Sequence, residues 1–225
     1  MRADAEDNRR ALLDAAREVF VEEGTSVALD KIAKRAGVGI GTLYRRFPDR
    51  DALLRGVLVD LFESMTAAAR AAEEPGGARP GWERLVRAVA GLGIGPALPI
   101  IFRERLDLID DPGVSASMQE AIAAVEGVYE RAQAAGELRG DVSFLEIQML
   151  AGMLSMSRPT YPPTVDPDLI TDRLVHLLLD GLRASPGTTK LPGEPIVFSP
   201  LDPDDRAAVE RAIVEENERI KKLKG

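Results

Sequence analysis

Apolar residues in this sequence recur three and four positions apart along most of its length, and almost nowhere do they alternate with polar ones. That spacing belongs to helices that each bury one stripe. Leu12, Leu13, Ala16, Val19 and Phe20 form such a stripe over roughly Asn8 to Glu23, and Gly24 follows as a left-handed C-cap. A second, short helix is expected to start at Asp30 as N-cap and to end before Gly37, and a third to run from Gly41 to Phe47. Asp49, after Pro48, caps a fourth that reaches Glu74. Further helices are expected over Trp82–Leu92, Ile100–Ile109, Val114–Ala135, Ser143–Ser157 and Pro167–Ala184, with a tail over Asp204–Leu223. Breakers separate them: Pro75 to Gly81, a Gly/Pro-interrupted stretch after Leu92, Asp110-Asp111-Pro112, Gly136, and Arg158 to Pro167. Residues 185–203, with five prolines, read as a linker. Ile196 to Ser199 is the one strand-like run, and one strand makes no sheet. The expected fold class is all-α.

The sequence contains no cysteine and one histidine, His176, so thiolate chemistry and Cys-based zinc sites are excluded. His176 sits in an apolar helical run and reads as a packed or interfacial residue rather than a metal ligand. No Gly-rich phosphate loop opens a helix and no HExxH is present, so an enzyme is not expected, nor a cofactor or metal. The N-terminus lacks the apolar core of a secretory signal, and no run approaches a membrane span; a cytoplasmic protein is expected.

The formal net charge of −8 argues against nucleic acid as a partner until its distribution is read. Residues 30–55 hold Lys31, Lys34, Arg35, Arg45, Arg46, Arg50 and Arg55 against Asp30, Asp49 and Asp51. A local basic face can bind phosphates on an acidic protein. Within this stretch Leu29, Ile32 and Ala33 give the second helix its inward face, Gly37 supplies a left-handed turn that Val38 plugs, and Leu43 and Phe47 give the third helix its buried stripe. At about 100° per residue, Gly41, Thr42 and Arg45 point away from that stripe, with Tyr44 and Arg46 on its flanks. A guanidinium bonds guanine edges bidentately, and Thr and Tyr side chains can reach phosphate or a thymine methyl. This is the surface a helix in a major groove requires.

Here the sequence resembles the TetR family of bacterial regulators. The matching residues are Phe20 and Gly24, Ile32-Ala33, Ala36-Gly37-Val38, Gly41-Thr42-Leu43-Tyr44, Phe47, Arg50 and Leu53. Arg131 to Ser143 looks like the family's turn between two C-terminal helices. The resemblance implies an N-terminal three-helix helix-turn-helix domain (1–54), a helical ligand-binding and dimerisation domain (55–185), and leaves a linker and tail (186–225). It implies a homodimer, more often repressor than activator, released from a palindromic operator in double-stranded DNA by a small-molecule effector. By resemblance Thr42 and Arg45 would face bases, and Tyr44 and Arg50 would contact phosphate; Lys31, Gly41 and Arg46 complete the expected DNA-binding set. Gly39 stands where the family often has a capping serine, and Arg46 where it often has histidine or an aromatic.

Beyond residue 56 the likeness is architectural. The runs 144–156 and 169–182 are apolar on more than one face, as dimer-forming helices would be, and Ala151-Gly152 permits close approach. Candidate effector-pocket residues are Phe62, Met65, Trp82, Leu85, Val89, Phe102, Arg103, Leu106, Met118, Ile122 and Tyr129. Each has an alternative as ordinary core, and Arg103 as a partner in surface ion pairs with its charged neighbours. In the tail, Val209, Ile213, Glu216, Ile220 and Leu223 make a narrow seam that either packs back or stays solvated. The competing function is a ligand-binding or scaffold helical protein without operator binding.

Overall fold

The computed structural model describes residues 2–92, 97–156, 166–196 and 202–224. Among them are ten α-helices, one 3₁₀ segment and no strand: α1 Arg2–Glu23, α2 Leu29–Arg35, α3 Ile40–Arg46, α4 Arg50–Glu73, α5 Gly81–Gly91, α6 Ala97–Arg105, the 3₁₀ segment Leu106–Asp110, α7 Pro112–Ala134, α8 Phe144–Met156, α9 Pro167–Leu182 and α10 Pro203–Lys224. The strand-like run falls, except for Ile196, outside the described residues, as does most of the Arg158–Pro167 segment.

The breakers act where the sequence places them. Gly24 (φ +85°), Gly37 (φ +69°) and Gly136 (φ +71°) adopt the left-handed conformation that a side chain disfavours. Val38 N–H donates to Ala33 O at 3.0 Å and closes the turn between α2 and α3. Asp49 accepts from Ala52 N at 2.7 Å and caps α4. Asp111 caps α7 ahead of Pro112, and Asp166 caps α9 ahead of Pro167. Ser143 and Glu146 bond each other's backbone N–H groups, a capping box that starts α8.

Three elements differ from expectation. α1 begins at Arg2, well ahead of Asn8. α2 begins at Leu29, not at Asp30: its N-cap is Ala28, which makes no side-chain bond. Leu29 is buried and must join the helix to face inward, so Asp30 falls in the first turn, where its charge still suits the helix N-terminus. The expected helix Ile100–Ile109 is two elements. Arg105 leaves helical backbone (φ −143°, ψ 53°), and the tighter 3₁₀ turn brings the adjacent Leu108 and Ile109 both inward.

One apolar core runs from Leu12 to Leu182. α4 crosses residue 54 without a break, so the expected helix-turn-helix domain and the domain after it share a helix. α4 and α7 run side by side in the same direction: Arg55 faces Asp111 at 3.6 Å, and Glu73 pairs with Arg131. The N-terminal end of α7 therefore lies beside the helix-turn-helix segment and its C-terminal end lies far from it.

Candidate nucleic-acid interface

α3 is seven residues long, and its orientation follows from Leu43, which is fully buried, and from Phe47, buried at its C-cap. The other positions then point outward. Gly41, Tyr44, Arg45 and Arg46 are exposed, Tyr44 at 51%, and Thr42 is half-buried. A Cβ on Gly41 would meet nothing within 4 Å, so nothing inside the chain demands glycine there. Five of the seven expected DNA-binding residues thus share one short helix.

The other two are engaged within the protein. Lys31 donates to Glu23 at 2.5 Å, and Arg50 Nη1 donates to the carbonyl of Thr25 at 2.5 Å. Arg35 is held by Glu18 and Glu22, each at 2.8 Å, and holds the Glu22 carboxyl below its usual range. α1 thus neutralises much of α2 (Glu18, Glu22 and Glu23 against Arg35 and Lys31). Arg45, Arg46 and the exposed Lys34 make none of the ion pairs found among the described residues. Lys34 was passed over in the sequence, where only its place in the basic run marks it.

Sequence reasoning also missed a polar junction between α6 and the DNA-binding segment. Glu104 Oε2 accepts from the backbone N–H of Thr25 at 3.0 Å and from its hydroxyl. Arg105 reaches Asp51 in the first turn of α4 through both guanidinium arms, one at 3.1 Å, and Asp107 through Nε and Nη2, each at 2.9 Å. Hydrogen bonds from Arg105 hold the Asp51 and Asp107 carboxyls below their usual range. Arg105 and Asp51 lie 54 residues apart, and Glu104 and Thr25 79, separations no local pattern reveals.

Of the expected pocket residues, Phe62, Met65, Trp82, Leu85, Val89, Met118 and Tyr129 are buried, and Phe102, Leu106 and Ile122 pack partly buried against them. Arg103 is exposed at 48% and lies 3.7 Å from Glu104, as the surface ion-pair alternative has it. Tyr129 donates its hydroxyl to Gln148 at 3.1 Å, and burial pushes its pKa up. Trp82 Nε1 is buried without a partner. A cleft of about 410 Å³ runs between Ala72, Trp82, Val128 and Ala132, rimmed by Glu73, Arg84 and Arg131; of the expected pocket residues, Trp82 alone lines it.

α8 and α9 carry half of the large apolar side chains exposed among the described residues: Met149, Leu150, Met153, Leu169 and Leu177, the last at 68%. His176 is exposed on the same α9, with Nδ1 2.7 Å from the carbonyl of Asp172; the described residues contain no cluster able to hold a metal ion. No helix among them is long and apolar enough to cross a membrane.

Residues 12–57 match the description "Bacterial regulatory proteins, tetR family", and residues 100–184 match "Transcriptional regulator SbtR-like, C-terminal domain". The crystal structure of a TetR transcription regulatory protein from Mycobacterium vanbaalenii is 30% identical, covers 81% of this chain and 98% of its own, and superposes with a TM-score of 0.53. The chain belongs to the TetR family. A second TetR-family structure, from Streptomyces coelicolor, is 28% identical over 79% of this chain and 99% of its own, with a TM-score of 0.54. An HTH-type transcriptional regulator of Staphylococcus aureus (strain USA300) is 41% identical over 66 residues. That match spans 28% of this TetR-family chain and 36% of the length of the curated relative.

Proposed function

We propose that this TetR-family chain is a cytoplasmic, sequence-specific DNA-binding transcriptional repressor that acts as a homodimer and leaves a palindromic operator when a small-molecule effector binds. The observation that carries the reading is α3: Leu43 is buried while Gly41, Tyr44, Arg45 and Arg46 face solvent on one surface. A short helix held from behind and offering guanidinium, phenol and a bare backbone matches what a major groove admits. In this reading Arg45 and Thr42 read bases, while Tyr44, Arg46 and Lys34 meet phosphates. Lys31 and Arg50 position α2 and α4 through Glu23 and Thr25.

Operator binding calls for two copies with recognition helices about 34–36 Å apart. The apolar side chains exposed on α8 and α9 supply a self-complementary surface, which a two-fold dimer requires. An effector acts by favouring one arrangement of the dimer over another. The Glu104–Thr25 and Arg105–Asp51 contacts give α6 a direct hold on the DNA-binding segment. Selection of bound sequences from random duplex DNA tests the proposal. A palindrome with half-sites one helical turn apart, or a multiple of it, is the expected product; recovery of unenriched sequence points to the scaffold alternative.

A further inference from the structure

α10 lies beyond both family descriptions, the second of which ends at residue 184. The two solved relatives are matched over 98% and 99% of their own lengths, yet account for 81% and 79% of this chain. The helix is nevertheless seated on the body. Asp202 caps it, accepting from Asp204 N at 2.9 Å and Asp205 N at 3.2 Å. Arg206 grips Asp110 with both arms of its guanidinium, one at 2.7 Å, and its Nε bonds Glu210 at 3.2 Å. Arg206, Val209 and Ile213 are half-buried at helical spacing, on the side of the helix that carries the Asp110 contact. Val214, Glu215 and Arg219 are exposed.

The place of this seat matters. Asp110 is the last residue of the 3₁₀ segment, and Asp111 next to it caps α7 and faces Arg55 of α4. Residues 104–110 thus hold the DNA-binding segment at one end, through Glu104 and Arg105, and α10 at the other. A 3₁₀ run has poorer hydrogen-bond geometry than an α-helix and rearranges at lower cost. Fastened at both ends, it cannot rearrange without breaking one of two charge clusters. Bidentate guanidinium–carboxylate pairs are the strong members of such clusters.

We propose that α10 is an intramolecular regulator of this junction: seated on Asp110, it holds residues 104–110 in the arrangement that grips Thr25 and Asp51, and unseated it releases them. The consequence for operator binding rests on the function proposed above, whereas the junction role can be read without DNA.

The test is amide hydrogen exchange on full-length variants, with Arg206→Asp, Asp110→Arg, the exchanged pair Asp110→Arg/Arg206→Asp, and Val209→Asp/Ile213→Asp, which charges the half-buried side of α10 without touching the 3₁₀ segment. Both single variants and the Val209/Ile213 variant should quicken exchange of amides 104–111 about threefold or more, in line with a partly exposed pair, and the exchanged pair should return it towards wild type. Unchanged exchange in the variants, or an exchanged pair as fast as the singles, would overturn the proposal. On a selected operator duplex the single variants should bind about two- to fivefold more weakly, because a loosened junction is less preorganised. If no duplex is bound while the exchange pattern holds, the repressor reading fails and the junction role stands.

Discussion

Glu104 accepts two hydrogen bonds from Thr25, one from its backbone N–H at 3.0 Å and one from its hydroxyl. Thr25 is 4% exposed, and its carbonyl in turn accepts from Arg50. One threonine therefore joins the C-terminal end of α6 to the first turn of α4. Thr25→Val removes the hydroxyl and keeps the shape. It should lower stability by about 1–2 kcal/mol, the cost of a lost hydrogen bond to a charged group, measured by urea denaturation with an unchanged m-value.

The junction should loosen in acid and not near neutrality. Asp51, Asp107 and Asp110 are held below the usual carboxylate range by hydrogen bonds from Arg105, Arg105 and Arg206. A carboxylate whose folded-state pKa is lowered contributes stability that is complete above the ordinary value of about 4 and is lost as the pH falls through the folded value. Amide exchange of residues 104–111 should thus be flat from pH 8 to pH 6, once corrected for intrinsic rates, and should quicken below about pH 4.

Freeing the cations of α2 should make binding less selective. Glu18→Gln/Glu22→Gln releases Arg35, which lies on the DNA-binding segment. Affinity for random duplex should rise, and the slope of log affinity against log salt should steepen by up to about 0.9 for one freed cation. Titrations at several salt concentrations check this against Arg35→Ala, which should leave the wild-type slope in place.

Self-association should depend on the apolar faces of α8 and α9. Leu177, 68% exposed in the single chain, is the most exposed of their large apolar side chains. Leu177→Glu places a charge where the proposed partner packs, and charges buried without partners are costly. Sedimentation should then report a monomer with unchanged helical content by circular dichroism.

The helices were legible because each carries its own period and its own breaker: Gly24, Gly37, Asp49 and Gly136 act at the positions their chemistry dictates. α3 was legible for the same reason, since Leu43 and Phe47 alone determine which side chains face outward. What escaped depends on residues far apart in the chain. Lys31, paired with Glu23, and Arg50, bonded to the carbonyl of Thr25, have partners within the chain that their positions in the sequence do not announce. The break at Arg105 is invisible in a run of helix formers, because its side chain is drawn to Asp51 some fifty residues earlier. Arg206 gives no local sign that its partner is Asp110.

The most direct test of α3 as the recognition helix is binding of wild type and Arg45→Ala to a selected operator and to its single-base-pair variants, read by fluorescence anisotropy. Wild type should discriminate at each contacted pair, and Arg45→Ala should lose about 1–3 kcal/mol of discrimination at one position per half-site while keeping it elsewhere. Equal discrimination by the two proteins at every position would contradict the assignment of α3.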